Sequence, residues 1–389
     1  MRFVVLIIPL FIFFKLNKKL SRRTANFYSI FVFIKLGVSW LTTTSLVVKT
    51  SDPLFYASSG MALASGRATE GDRIIIKNAA IQFLNAILGY IPGPGSVLLA
   101  ASLAGTMASL IAYQTISLSI ERQGYQSIGF TVATALYPPL LYWNSANLKE
   151  PFVTLGFAIA FSSFLRSKYI GAFLGLSLAA LFRPQLAALC FIFGVSALIL
   201  RNARVKTATA ALVTLTSFIL TIAATFRFES RIRRPQDLGG GSDLQTVWTS
   251  RFLWKAFPRT VFATDPWLIP KTPAQLVQIL SGVVLTALLL NAIASLRKPT
   301  ISSVGLLAAV WGTSGCYLLA LTVDNAGTLD RYRSPYLVFL LAFIPFAHEK
   351  KTHSRRTANS RNLAIRKLPS GKRFLYHEPI RLPERLTLR

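Results

Sequence analysis

Long apolar runs alternate with short polar stretches from Phe27 to Ala347. The runs read Phe27–Val48, Ser96–Ile120, Ser127–Trp143, Pro151–Leu165, Tyr169–Phe182, Leu186–Leu200, Thr207–Phe226, Ala274–Leu296, Ile301–Val323 and Pro335–Ala347. A helix rises about 1.5 Å per residue and needs roughly 20 apolar residues to cross about 30 Å of hydrocarbon. The pattern therefore predicts an all-α polytopic membrane protein with about 10 transmembrane helices, several of them short. Arg2–Phe14 is apolar but too short to span comfortably, and reads as a signal-like segment, an interfacial helix or a thin extra span. Between the runs lie two long loops, 49–95 and 227–273. The first closes on an amphipathic stretch, Ile74–Ile91, and the turn Pro92-Gly93-Pro94-Gly95; the second holds Gly239-Gly240-Gly241 and an aromatic cluster including Trp248, Trp254 and Trp267.

Composition agrees with a bilayer environment. Hydrophobic residues make up 52% and charged residues only 15%, with a mean hydropathy of +0.49, yet the net charge is +29. A soluble domain carries about a quarter charged residues, which sets aside most soluble enzymes and a nucleic-acid partner. The charge is topological. With the basic segment 1–26 in the cytoplasm, the multi-spanning domain 27–347 and a basic cytoplasmic tail 348–389, 25 of the 43 Lys and Arg fall inside, whereas ten of the 14 acidic residues fall outside. This predicts cytoplasmic N- and C-termini in a plasma (inner) membrane, with the tail on anionic lipid. The hexapeptide Ser-Arg-Arg-Thr-Ala-Asn occurs twice, at Ser21–Asn26 and Ser354–Asn359, both on the cytoplasmic side.

Candidate chemistry collects outside. His348, His353 and His377 all lie in the tail, and Cys190 and Cys316 lie inside apolar runs, so acid/base work in the membrane domain falls to carboxylates. Asp52 follows the first span in Ser51-Asp52-Pro53. A carboxylate there can serve as a base toward a hydroxyl or bind a metal ion, and it is equally suited to capping the helix that follows. Glu150, in Leu148-Lys149-Glu150-Pro151, opens another span on the same side, where the helix dipole also favours it. Arg331 and Arg333 flank Tyr332 before the last span, as a phosphate clamp or as interfacial arginines. Arg183, at the turn Arg183-Pro184, adds a further cation. Two carboxylates among arginines suit sugar transfer from a phosphate leaving group. A divalent metal stays open.

These elements follow one another in a familiar order: Asp52, Asn85-Ala86-Ile87-Leu88-Gly89, Leu136-Tyr137-Pro138-Pro139, Leu148-Lys149-Glu150-Pro151, Arg183-Pro184, Asp265-Pro266-Trp267, then Gly327-Thr328-Leu329-Asp330-Arg331-Tyr332-Arg333-Ser334-Pro335. The order resembles the GT-C-fold glycosyltransferases, which use polyprenyl- or dolichyl-phosphate sugars, a group that includes protein mannosyltransferases and aminoarabinose transferases. The resemblance implies inverting transfer of a sugar from a polyprenyl-phosphate donor to a glycan, lipid or protein acceptor on the extracytoplasmic face, in surface polysaccharide or glycoconjugate synthesis. It puts Asp52 at the family's first-loop carboxylate and Glu150 at a second acidic position. Arg331, Arg333 and Arg183, with Tyr332, would meet the lipid phosphate. An O-antigen polymerase or ligase, and a lipid-linked sugar transporter or flippase, are the alternative readings.

Overall fold

The computed structural model describes residues 4–43, 51–66, 78–89, 94–183, 194, 258–263, 269–270, 273–294, 303–322 and 326–347. The expected spans Leu186–Leu200 (apart from residue 194) and Thr207–Phe226 lie outside the described residues. So do most of the loop 227–273, including Asp265-Pro266-Trp267, and the tail 348–389. The chain divides into two units, Met1–Lys350 and Lys351–Arg389. Only the first contains described residues.

Regular structure among the described residues is entirely helical: α1 (Val4–Asn17), α2 (Arg22–Thr43), α3 (Ser51–Ala64), α4 (Ala79–Leu88), α5 (Pro94–Arg122), α6 (Ile128–Leu136), α7 (Pro138–Trp143), α8 (Glu150–Phe164), α9 (Tyr169–Phe182), α10 (Pro273–Ala294), α11 (Ser303–Thr322) and α12 (Ala326–Ala347). Among the described residues three helices are long and apolar enough to cross a membrane: Arg22–Thr43, Ser96–Arg122 and Gln275–Ala294. α8 and α9 are apolar but run only 15 and 14 residues. Large apolar side chains stay exposed on α2 (Ile30, Phe33, Ile34) and α10 (Leu280, Val283, Val284, Leu290), faces that acyl chains would cover.

Two expected boundaries move, each for a local reason. The run Ser127–Trp143 is not one span: Tyr137 is extended (φ −78°, ψ 109°) and separates α6 from α7. Pro138 forces this, because the proline ring disfavours the helical region for the residue before it, and the Pro-Pro pair then starts a new helix where no amide donor is needed. The polar stretch between the expected runs Ile301–Val323 and Pro335–Ala347 is helical from Ala326 onward. Its described charges, Asp330, Arg331 and Arg333, tolerate burial because each has a partner, described below.

Packing is closest where side chains are small. A Cβ on Gly156 of α8 would lie 2.6 Å from the Gly175 carbonyl oxygen of α9, and one on Gly312 of α11 would lie 2.7 Å from the Leu340 amide nitrogen of α12. Such small-residue contacts let helix backbones approach. Between α8, α11 and α12, Trp311 packs on Phe339 (5.3 Å between ring centroids) and Phe161 (5.8 Å), and Phe157 packs on Tyr336 (5.5 Å). At the other end of the bundle from the cluster described next, the first hexapeptide copy has a structural role. Glu121 accepts from the Ser21 amide (2.8 Å), the Ser21 hydroxyl (2.8 Å), Thr24 (2.9 Å) and Ser127 (2.6 Å), joining the starts of α2 and α6 to the end of α5.

Candidate functional site

Five of the six residues singled out in the sequence meet at one end of the bundle, where α3, α8 and α12 begin and α9 ends. Asp52 stands in the first turn of α3, with Pro53 behind it. Glu150 opens α8 and is 1% exposed. Arg183 follows the last residue of α9 and ion-pairs with Glu150. Arg331, near the start of α12, reaches both carboxylates: Nη1 donates to Asp52 Oδ2 at 2.6 Å, and Nε lies 3.5 Å from Glu150 Oε1. Tyr332 supplies a face for both guanidiniums, 3.8 Å from Arg183 and 4.8 Å from Arg331. The charges alternate and cancel, which is how a buried cluster of this kind stays affordable.

Arg333 stands apart. Two residues along a helix turn the side chain by about 200°, so Arg331 and Arg333 face different neighbours. Arg333 is 0% exposed; its Nη2 and Nε donate to Asp330 at 2.8 and 3.2 Å, and Nη1 donates to the Thr260 carbonyl at 2.9 Å. Trp143 Nε1 closes the arrangement by donating to the second Asp330 oxygen at 2.9 Å. Every nitrogen of Arg333 is thus engaged within the protein.

Two Nε donors in the main cluster make no hydrogen bond among the described residues, although Arg331 Nε keeps its ion-pair contact with Glu150. Arg183 Nε and Arg331 Nε are buried with no hydrogen-bond partner among the described residues. Buried polar groups left unpaired are uncommon in folded proteins, and here two lie on adjacent guanidiniums. Burial pushes the Glu150 carboxyl upward, but Arg183 and Arg331 outweigh it and hold the group below the ordinary carboxylate value. On Tyr56 of α3, burial raises the phenol and the Asp52 and Glu150 charges raise it further, against the two arginines.

The segment from Asn144 to Lys149 ties these helices together, and nothing in its composition marks it for that task. It is irregular and buried throughout. Asn147 and Asn85 of α4 exchange amide hydrogen bonds at 2.9 and 3.2 Å, and Asn147 Nδ2 also donates to the Pro53 carbonyl at 3.2 Å. One side chain therefore fixes α3 beside Asp52, α4, and the approach to Glu150. Lys149 donates to Asn78 Oδ1 and lies 5.7 Å from the Tyr56 ring. The faint signal available in the sequence was Asn85, a polar residue inside the apolar stretch Ala79–Leu88.

An apolar cavity of about 640 Å³ opens between α6, α7 and α10, lined by Val132, Leu136, Pro138, Leu280 and Val284 among others. Tyr137 also lines it, with its buried hydroxyl lacking a hydrogen-bond partner among the described residues. Among the described residues no three His, Cys, Asp or Glu side chains gather as metal ligands. Asp52 and Glu150 each face an arginine, so a cation between them would have to displace Arg331. Comparison with protein-family models, curated proteins and solved structures finds no match to the chain.

Proposed function

We propose that the protein is a multi-pass inner-membrane glycosyltransferase of GT-C type, with about ten spans and cytoplasmic termini, which moves a sugar from a polyprenyl-phosphate donor to an acceptor hydroxyl on the extracytoplasmic face. The observation that carries this reading is the meeting of Asp52, Glu150, Arg183, Arg331 and Tyr332, with two guanidinium Nε donors that make no hydrogen bond among the described residues. A phosphate oxygen suits those donors, because guanidinium binds phosphate through several fixed N–H groups. The arginines also bring the positive charge that a divalent cation would otherwise supply to the leaving group. In the transfer, the acceptor oxygen attacks the anomeric carbon and the bond from that carbon to the phosphate oxygen breaks. The lipid phosphate leaves with the electron pair and the Asp52 carboxylate takes the hydroxyl proton. Glu150 keeps the two arginines in place. The apolar cavity beside α6, α7 and α10 has the character an isoprenoid chain requires.

The test is Asp52→Asn in the native host, with membrane insertion confirmed and surface glycan and lipid-linked sugar followed by mass spectrometry. Loss of one glycan component with accumulation of its lipid-linked donor is expected. Unchanged glycan in this variant, with altered glycan on deletion of the gene, removes Asp52 from the chemistry. A lipid-linked sugar transporter is favoured by one observation, a charged residue inside a spanning helix, Lys35. Transport would move the donor across vesicles without consuming it.

A further inference from the structure

Lys35 lies about 20 Å along α2 from its start at Arg22, inside a helix apolar and long enough to cross a membrane. Its side chain is 0% exposed, and among the described residues no carboxylate pairs with it. An ionisable group in such a place is costly and is kept for a reason. Its surroundings are acceptors: Nζ lies 2.8 Å from Ser109 Oγ, 3.3 Å from the Asn144 carbonyl and 3.5 Å from the Leu140 carbonyl. The Ser109 proton is directed elsewhere, to the Thr106 carbonyl (2.8 Å) or the Asn144 carbonyl (3.1 Å), so toward Lys35 that hydroxyl offers a lone pair. Three acceptors call for three protons. An ammonium has three donors and no lone pair, whereas a neutral amine would set its lone pair against one of these oxygens. The faces of Tyr113 (5.1 Å) and Phe31 (5.9 Å) complete the surroundings, and both attract a cation.

The carbonyls come from a particular place. α7 ends at Trp143, and the Asn144 amide turns to the Tyr142 carbonyl, leaving the Leu140 oxygen without the partner a continuing helix would give it. The negative end of α7 and the first carbonyl of the irregular segment thus point at one spot, and irregular backbone at membrane depth must be satisfied internally. Ser39 and Thr106, one turn from Lys35 and Ser109, are both 0% exposed, and their hydroxyls have no hydrogen-bond partner among the described residues.

We propose that the Lys35 ammonium occupies a monovalent-cation site made by the Leu140 and Asn144 carbonyls, the Ser109 hydroxyl and the Tyr113 and Phe31 rings, and that this tethered cation positions the Asn144–Lys149 segment. The site is of the kind that would take potassium or ammonium, with the lysine chain supplying the ion permanently. The proposal stands independently of the glycosyltransferase reading, because it concerns what holds the segment and not what the segment serves.

The experiment uses the full chain in detergent with Lys35→Ala, which empties the site, and Lys35→Met, which fills it without charge. Thermal unfolding is followed in choline, potassium and ammonium chloride at equal ionic strength. Lys35→Ala should melt lower than the parent in choline, and potassium or ammonium should saturably restore at least half of the loss; the parent and Lys35→Met should not respond. In Lys35→Met, hydrogen exchange across residues 144–149 should rise while exchange in α11 stays unchanged. A Lys35→Ala protein indifferent to the choice of cation, or one that none of the three salts recovers folded, overturns the site. Unchanged exchange in Lys35→Met overturns the positioning role.

Discussion

Replacing Glu150 by Gln removes one negative charge from a place where two cations depend on it. Glu150 is 1% exposed and Arg183 7%, so their pair is buried; Asp52 is 38% exposed, so its pair with Arg331 is largely open to screening. Removing one partner of a buried pair costs about 3–5 kcal/mol, because the other charge stays desolvated and uncompensated. The glutamine oxygen still accepts from Arg183, which places Glu150→Gln near about 3 kcal/mol on that scale. Asp52→Asn breaks a partly exposed pair and should cost about 1 kcal/mol or less. At about 2 °C per kcal/mol for a chain of this length, melting temperatures measured in detergent should fall by about 6 °C and about 2 °C respectively. The double variant Glu150→Gln/Arg183→Met removes the stranded cation together with its anion, and should recover at least half of the single-variant loss. Equal losses in the two single variants, or a double variant no better than Glu150→Gln, would refute the claim that Glu150 is the buried counter-ion of the cluster.

Acid should act through the same residue. The folded-state carboxyl of Glu150 lies below its ordinary value of 4.5, so its contribution to stability is complete above that pH and is lost as pH falls through the depressed value. Unfolding followed from pH 7 downward should show this acid-side loss in the parent and a shallower one in Glu150→Gln; identical acid limbs would count against it. Gly60→Ala should force α3 from α4, since its Cβ would lie 2.6 Å from the Asn85 carbonyl carbon and 2.8 Å from the Ala86 nitrogen. Overpacking of this kind costs about 1–3 kcal/mol, whereas Gly37→Ala, with nothing within 4 Å, should be neutral or gain up to about 1 kcal/mol in the same unfolding assay.

Apolar periodicity located α5, α8, α9, α10 and α11 to within a few residues, because burial in lipid or in a bundle demands the same side chains. It missed the break at Tyr137, since proline counts as tolerable in an apolar run while its ring acts on the residue before it. It missed the start of α12 for the opposite reason. Asp330, Arg331 and Arg333 read as a polar loop, yet Asp330 and Arg333 neutralise each other one turn apart and Arg331 meets Asp52 and Glu150, both distant in sequence. Those partners also explain why Arg331 and Arg333 looked like one clamp: adjacency along the chain carries no information about which side of a helix each residue takes. Lys35 is a charge inside the apolar run Phe27–Val48, but its three acceptors come from α5 and from carbonyls that only a broken helix exposes.

The shortness of α8 and α9 bears on the membrane as well as on the protein. At 15 and 14 residues they extend about 22 and 21 Å, against about 30 Å for an average hydrocarbon core. Packed against each other at Gly156 and Gly175, they are poorly placed to lengthen, so in a spanning arrangement the lipid must yield. Thinning costs fractions of a kcal/mol per Å of mismatch and would draw the headgroup layer inward beside Glu150 and Arg183. A lipid phosphate would then meet the guanidiniums at its own natural depth, and bilayer thickness would join the side chains in setting how readily it does so.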